Sequence, residues 1–122
     1  MNCLKICLLF FIVACAYAIT LKEFNRKMVC EVNKEREKHG LPYLAISSTL
    51  SNAAQNHTKY QYNNNIMTHD ENIKGYRNIM DRIKKAGYKN PSAAAENVAR
   101  GQRSIAEVMK GWMNSSGKIL NK

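Results

Sequence analysis

Few side chains in this chain could do chemistry, and His69 is the first candidate among them. It stands in the polar run Thr-His-Asp-Glu at residues 68–71, between two predicted helices. Binding and catalytic residues are more often found in such loops than on helix faces. A neutral imidazole can bind a metal or accept a proton near neutral pH. The sequence therefore predicts a functional histidine in this loop.

The other two histidines and the cysteine outside the first eighteen residues have structural interpretations. His57 lies on an alanine-rich helix face, where a hydrogen-bonded packing role is favoured over ligation. His39 lies in the last turn of a helix, where a partly cationic ring suits the helix dipole. Cys30 is expected to be buried on a helix face, and a disulfide to another chain is the alternative.

Four helices are predicted to position these residues. Capping boxes at residues 20–23 and 104–107 begin the first and last helices. Asn78 to Ala86 forms a short helix with Arg82 on the same face as two isoleucines. The first helix runs from Thr20 to Gly40, the second from Ser47 or Ser48 to the asparagines at 63–65, the third over Asn78–Ala86, and the fourth opens at Ser104. Trp112, on the apolar stripe of the fourth helix, is expected to anchor the core.

The N-terminus is typical of a secretory signal peptide. Residues 1–18 carry one charge, Lys5, an apolar run at 8–14, and the tripeptide Ala-Tyr-Ala at 16–18. The apolar run is shorter than the roughly 20 residues of a membrane span, so cleavage before Ile19 is expected. Residues 19–122 then form one domain that is exported and extracellular.

The composition is strongly basic, with 19 Lys and Arg against 9 Asp and Glu and a formal charge of +10. Such a charge favours anionic partners, including acidic lipid surfaces and polysaccharides. The cations are scattered and interrupted, without an aromatic-interleaved stripe, so nucleic-acid binding is not expected. Asn56 and Asn114 begin acceptor sequons for N-glycosylation, which would fit an exported protein.

Five sequence blocks together resemble the CAP superfamily of cysteine-rich secretory proteins, antigen 5 and plant pathogenesis-related proteins of type 1. They are LPYLAISSTLSNAAQNHTKY, MTHDE, RIKKAGY, AENVARG and EVMKGWMNSS, in the family's order and spacing. The lack of a disulfide framework is similar to the bacterial and fungal branch. The resemblance implies an α+β fold, an α-β-α sandwich in which an antiparallel sheet lies between helical layers.

The resemblance also implies a cleft lined by two histidines and two acids. His69 matches the histidine of the first cleft block, and Glu96 matches the acid of the Glu-Asn-Val-Ala block. In the family such a cleft can hold a divalent metal such as zinc. With two matching ligands the metal is expected to be weakly held, since stable zinc sites use three or four protein groups. Glu71 or His57 could supply a further ligand, although nothing in the spacing requires it.

The last block departs from the family pattern. Lys118 stands where the second histidine is expected, and its ammonium cannot replace a neutral nitrogen ligand. The sequence also ends before the glycine-rich strands that complete the family's sheet, and only Glu96 to Ala99 is strand-like. A mostly helical, C-terminally truncated domain with an incomplete core is therefore expected.

Three functional hypotheses remain open. The leading one is a secreted, non-enzymatic CAP protein that binds a lipid, a sterol or another extracellular ligand in defence or host interaction. The second is an inactive fragment of a CAP protein. The third is a metal-dependent hydrolase in which Glu96 acts as general base on a bound water in the His69 cleft.

Overall fold

The computed structural model describes residues 19–115, and within that range it contains four α-helices and no β-strand. The signal peptide predicted for residues 1–18 and Lys118 lie outside the described residues. The helices are α1 (Leu21–Lys38), α2 (Ser48–Asn63), α3 (Ile79–Lys85) and α4 (Ile105–Asn114). None of the helices between residues 19 and 115 has both the length and the apolar character that a membrane crossing requires.

Each helix begins at a polar N-cap, and the sequence predicts those of α1, α2 and α4. In all four, the N-cap side chain accepts a hydrogen bond from the backbone N–H three residues later. The N-caps are Thr20, Ser47, Asn78 and Ser104. Each such bond satisfies an otherwise unpaired donor and typically stabilises the fold by about 1 kcal/mol. Local sequence therefore fixes where the helices start.

Helices α1 and α4 pack together through an apolar cluster. Met28 and Met109 are its buried centre. Val32, Ile105, Val108, Trp112 and Met113 pack around them, half-buried. The ring of Trp112 thus takes part in the core, as expected of an anchor.

Helices α2 and α3 pack together through a smaller and more polar set of residues. Ala53 and Ile83 are its buried apolar members. His57 and Arg82 are buried beside them, at 2% and 4% exposure. The small side chain of Ala53 leaves room for the two helices to approach.

The helical part of the fold prediction is confirmed, and the central sheet of the sandwich is not seen in residues 19–115. Residues 96–99, predicted to be strand-like, are irregular in structure. Thirteen large apolar side chains between residues 19 and 115 are exposed, among them Leu44 and Ile46. The described part of the chain therefore has a small core.

The prediction that Cys30 is buried is wrong, because its side chain is exposed on α1. The face of α1 that packs against α4 carries Met28 and Val32. Residue 30 lies two positions from each, about 200° around the helix, and so lies off that buried stripe. The general tendency of cysteine to be buried is overridden here by helical phase.

Candidate functional site

Four ionisable side chains from four parts of the chain meet beside the α2–α3 pair. His57 comes from α2, Glu71 from the loop after it, Arg82 from α3, and Glu96 from the segment before α4. The side chains of the first three are at most 5% exposed and that of Glu96 is 17% exposed. Buried charges are retained in proteins when they are paired, and every one of these has a partner of opposite sign. We call these four residues the buried charge cluster.

His57 is held at both ring nitrogens by hydrogen-bond acceptors. Nδ1 lies 2.7 Å from Oε1 of Glu71, and Nε2 lies 2.8 Å from the backbone oxygen of Thr68. A neutral imidazole has a hydrogen on only one nitrogen. Its other nitrogen would then face an oxygen that, like itself, can only accept a hydrogen bond. The doubly protonated ring can donate to both. The geometry therefore fits an imidazolium that ties α2 to the following loop.

Arg82 connects the two carboxylates of the cluster and holds the loop. Its Nη2 donates to Oε2 of Glu96 over 2.8 Å, and its Nε lies 3.9 Å from Oε1 of Glu71. Its Nη1 donates to the backbone oxygen of His69 over 3.0 Å. The same nitrogen lies 3.4 Å from the oxygen of Arg77. One guanidinium thus fixes both the acidic side chains and the backbone beside the candidate histidine.

Both oxygens of Glu96 have cationic or donor partners. Oε2 accepts from Arg82, and Oε1 accepts from Nδ1 of His69 over 3.1 Å. Oε1 also lies 3.8 Å from Nε2 of His57. The side chain of His69 is 61% exposed, in contrast to the cluster behind it. Its Nδ1 faces Glu96, so Nε2 is the nitrogen that remains for an incoming ligand.

The segment that carries Glu96 is fixed at two further points. The indole nitrogen of Trp112 donates to the backbone oxygen of Val98 over 2.9 Å. Arg100 donates to the backbone oxygen of Asn65 over 2.8 Å and also contacts its side-chain oxygen. These contacts hold an irregular segment in place without a strand ladder.

The structure brings together all four of the site residues that the sequence singled out. His69 and Glu96 are in direct contact, and His57 and Glu71 form the pair behind them. Sequence reasoning missed the role of Arg82. The sequence did predict that Arg82 lies on the apolar face of α3 together with Ile83. A charged side chain on a face that is expected to be buried needs an ionic partner, and this is the signal that could have revealed the role of Arg82.

The two sequon asparagines are both exposed. Asn56 lies within α2, and the hydroxyl of Thr58 donates to the backbone oxygen of Ala54 over 3.0 Å. Asn114 is the last residue of α4, and its sequon extends beyond the described residues. Glycosylation of either asparagine stays a prediction.

The donor set of the cluster does not fit a zinc site. Both nitrogens of His57 face protein acceptors, and both oxygens of Glu96 are bonded to cationic or imidazole groups. Zinc sites need three or four ligands, and residues 19–115 contain no group of three or more His, Cys, Asp or Glu side chains that could hold a metal. The described residues therefore form an ion-pair network instead of a metal centre.

A sequence profile of the Cysteine-rich secretory protein family, abbreviated CAP, matches residues 29–121. This match covers most of the chain, including every residue of the cluster and Trp112. The chain belongs to the CAP family. Proteins of this family are often extracellular.

The chain is also similar to a bacterial protein. The chain is 35% identical over 102 residues to "Uncharacterized protein YkwD" of Bacillus subtilis (strain 168). The aligned region covers 84% of this CAP chain and 38% of the relative, so the chain spans less than half of the relative's length. No solved structure matches the chain.

Proposed function

We propose that this CAP-family protein is a secreted, non-enzymatic binding protein whose ligand is a lipid or sterol. The non-enzymatic part of the proposal is supported by the hydrogen bonds of the Glu96 carboxylate. Its two oxygens are bonded to His69 and Arg82. A general base needs a carboxylate oxygen within reach of the proton it removes. A carboxylate held on both sides is better suited to fixing a binding surface than to proton transfer.

The lipid part of the proposal is supported by the loop that leads into the site. Ile66 and Met67 directly precede Thr68 and His69, and they are 39% and 55% exposed. Two adjacent exposed apolar side chains that are followed by the imidazole of His69 suit an amphiphile that ends in a hydroxyl or carboxyl group. We place the apolar part of the ligand against these two residues and its polar end at His69.

Export is supported by the predicted signal peptide and by family membership. The predicted cleavage before Ile19 would leave Cys30 as the single cysteine. Its exposure on α1 is compatible with an oxidising compartment, where it is open to pairing with another thiol. Extracellular location is checked by N-terminal sequencing of protein recovered from culture medium, which should begin at Ile19.

Ligand binding is tested by fluorescence titration of the purified protein with dehydroergosterol and with cis-parinaric acid. We expect saturable binding of at least one of the two. Met67→Ser should weaken it about tenfold or more, because fully burying a methionine side chain contributes about 1.5–3 kcal/mol. Tyr62→Ser is the matched control, since Tyr62 is 85% exposed and lies on α2.

Two results would contradict the proposal. One is a folded protein, judged by its helical circular dichroism, that binds neither probe. The other is binding that Met67→Ser and Tyr62→Ser reduce equally. Hydrolysis of ester substrates that disappears in Glu96→Gln would instead favour the hydrolase hypothesis.

A further inference from the structure

A separate cavity of about 730 Å³ lies between α2 and α3. Glu71 and Arg82 of the buried charge cluster line it, whereas His69 and Glu96 do not. It is therefore distinct from the His69 surface. Its volume falls within the range of about 300–1,000 Å³ that is common for small-molecule sites.

Glu71 offers this cavity a hydrogen-bond acceptor. Its side chain is 5% exposed, and Oε1 receives the hydrogen bond from His57. Among residues 19–115, no group donates a hydrogen bond to Oε2, yet every fully enclosed side-chain oxygen or nitrogen in that range has a partner. Oε2 is therefore not fully enclosed, and the cavity that Glu71 lines is the space beside this side chain. A carboxylate oxygen so placed will accept from a ligand that carries a hydrogen-bond donor.

The charges around Glu71 restrict what that donor can be. Arg82 lies beside it, with Nε 3.9 Å from Oε1. Lys85 also lines the cavity, and its ammonium lies 5.9 Å from the centre of the Tyr76 ring. These two cations disfavour a cationic ligand, and the carboxylate disfavours an anionic one. A neutral donor such as a hydroxyl group fits the local charge.

The walls of the cavity combine amide groups with aromatic rings. Asn56 and Asn72 each supply a donor and an acceptor, which matches the dual character of a hydroxyl. The hydroxyl of Tyr60 accepts from the backbone N–H of Asn72 over 2.9 Å, so its own hydrogen remains available to donate. The ring of Tyr76 is 37% exposed, with the ammonium of Lys85 over one of its two faces.

We propose that this cavity is a binding site for a neutral saccharide. The carboxylate, the asparagine amides and the Tyr60 hydroxyl bind the sugar hydroxyls, and the apolar face of a pyranose ring packs on Tyr76. The site acts independently of the proposed lipid ligand, because it shares neither His69 nor Met67 with it.

The test is isothermal titration calorimetry of the purified protein with cellohexaose and with chitohexaose. The protein must be produced without N-linked glycans, because Asn56 both begins a sequon and lines the cavity. Spermidine is titrated in parallel as a cationic probe that the carboxylate could also attract. The variants are Tyr76→Ala and Asn72→Ala. Their matched controls are Tyr62→Ala and Asn52→Ala, which change exposed residues of α2 that do not line the cavity.

We expect saturable binding of at least one hexasaccharide. Tyr76→Ala should weaken it about tenfold, equivalent to about 1.4 kcal/mol, because the sugar ring loses the surface on which it packs. Asn72→Ala should weaken it to a smaller extent, and the two controls should leave it unchanged. The proposal is overturned if neither sugar binds a folded protein, if spermidine alone binds, or if Tyr76→Ala and Tyr62→Ala bind equally well.

Discussion

The two helix pairs of this domain are held together by different kinds of interaction. Between α1 and α4 the buried centre is Met28 and Met109, with apolar neighbours. Between α2 and α3 it includes a histidine and an arginine, bonded to two glutamates outside the helices. Apolar packing tolerates many exchanges of similar volume, whereas a buried charge requires its specific partner. The comparison indicates that packing of α2 on α3 depends on specific polar partners, whereas packing of α1 on α4 depends on the volume of the apolar side chains.

Loss of Arg82 should be the most damaging change on the polar side. Arg82→Met keeps the length of the side chain but leaves Glu71 and Glu96 without their guanidinium partner. Breaking a buried ion pair by removing one member typically costs about 3–5 kcal/mol. Urea unfolding followed by circular dichroism measures the loss. Arg77→Met, at an exposed position, is the control and should change the free energy of unfolding by less than about 0.5 kcal/mol.

Equal stabilities of Arg82→Met and the wild type would show that the cluster contributes little, and the contrast between the two helix pairs would then fail. If Arg82→Met were more stable than the wild type, the desolvation cost of the guanidinium would be larger than the free energy gained from its contacts with the two carboxylates.

On the apolar side, Met109→Ala should cause the next largest loss. Truncating a buried methionine removes its transfer free energy and leaves a cavity, at a cost of about 2–5 kcal/mol. Because Met109 is still 8% exposed, we expect the lower half of that range. Met67→Ala, at 55% exposure, is the control. If Met109→Leu were as damaging as Met109→Ala, volume would not be what this helix pair requires.

The helices of both pairs could be predicted from sequence because their signals are local. A capping residue and its backbone partner are three positions apart, as with Ser104 and Glu107. The apolar stripe of α4 likewise lies within a few turns. The error at Cys30 could also have been avoided with local information. The prediction used the general tendency of cysteine to be buried, whereas the position of residue 30 around the helix relative to Met28 indicates exposure.

The buried charge cluster could be predicted only in part. Its contacts join residues 11 to 39 positions apart, from Glu71 with Arg82 to His57 with Glu96. No local rule fixes such pairings. The CAP resemblance supplied His69 and Glu96, whereas the link through Arg82 depends on how α3 packs against α2. The weakly held metal that the resemblance implied required His69 and Glu96 as ligands, whereas in the structure Glu96 is hydrogen-bonded to both His69 and Arg82.

Replacement of His57 should have a smaller but selective effect. His57→Gln replaces one of the two donor nitrogens by an acceptor oxygen, so Glu71 and the backbone oxygen of Thr68 no longer each face a donor. An unsatisfied buried polar group costs about 1–3 kcal/mol. His39→Gln is the control, because His39 is the exposed C-cap of α1. Thermal unfolding should rank the two variants in that order.

Nuclear magnetic resonance tests the cause of the His57 effect directly. With ¹⁵N-labelled histidine, both ring nitrogens of His57 should carry slowly exchanging hydrogens in the folded protein. The exposed ring of His69 should not show such hydrogens. A single protonated nitrogen on His57 would contradict the imidazolium assignment and leave one of its two contacts as a repulsive one.

Trp112 connects the two regions and offers the smallest and most informative change. Its ring packs in the α1–α4 cluster, while its Nε1 donates to Val98, two residues after Glu96. Trp112→Phe should keep most of the packing and lose this hydrogen bond, at about 0.5–1.5 kcal/mol. If the bond holds Glu96 against Arg82, then Trp112→Phe and Glu96→Gln should be non-additive in a double-mutant cycle, with a coupling of at least about 0.5 kcal/mol. Additive effects would mean that the apolar and polar regions are stabilised independently, and that the position of Glu96 depends on Arg82 and His69 alone.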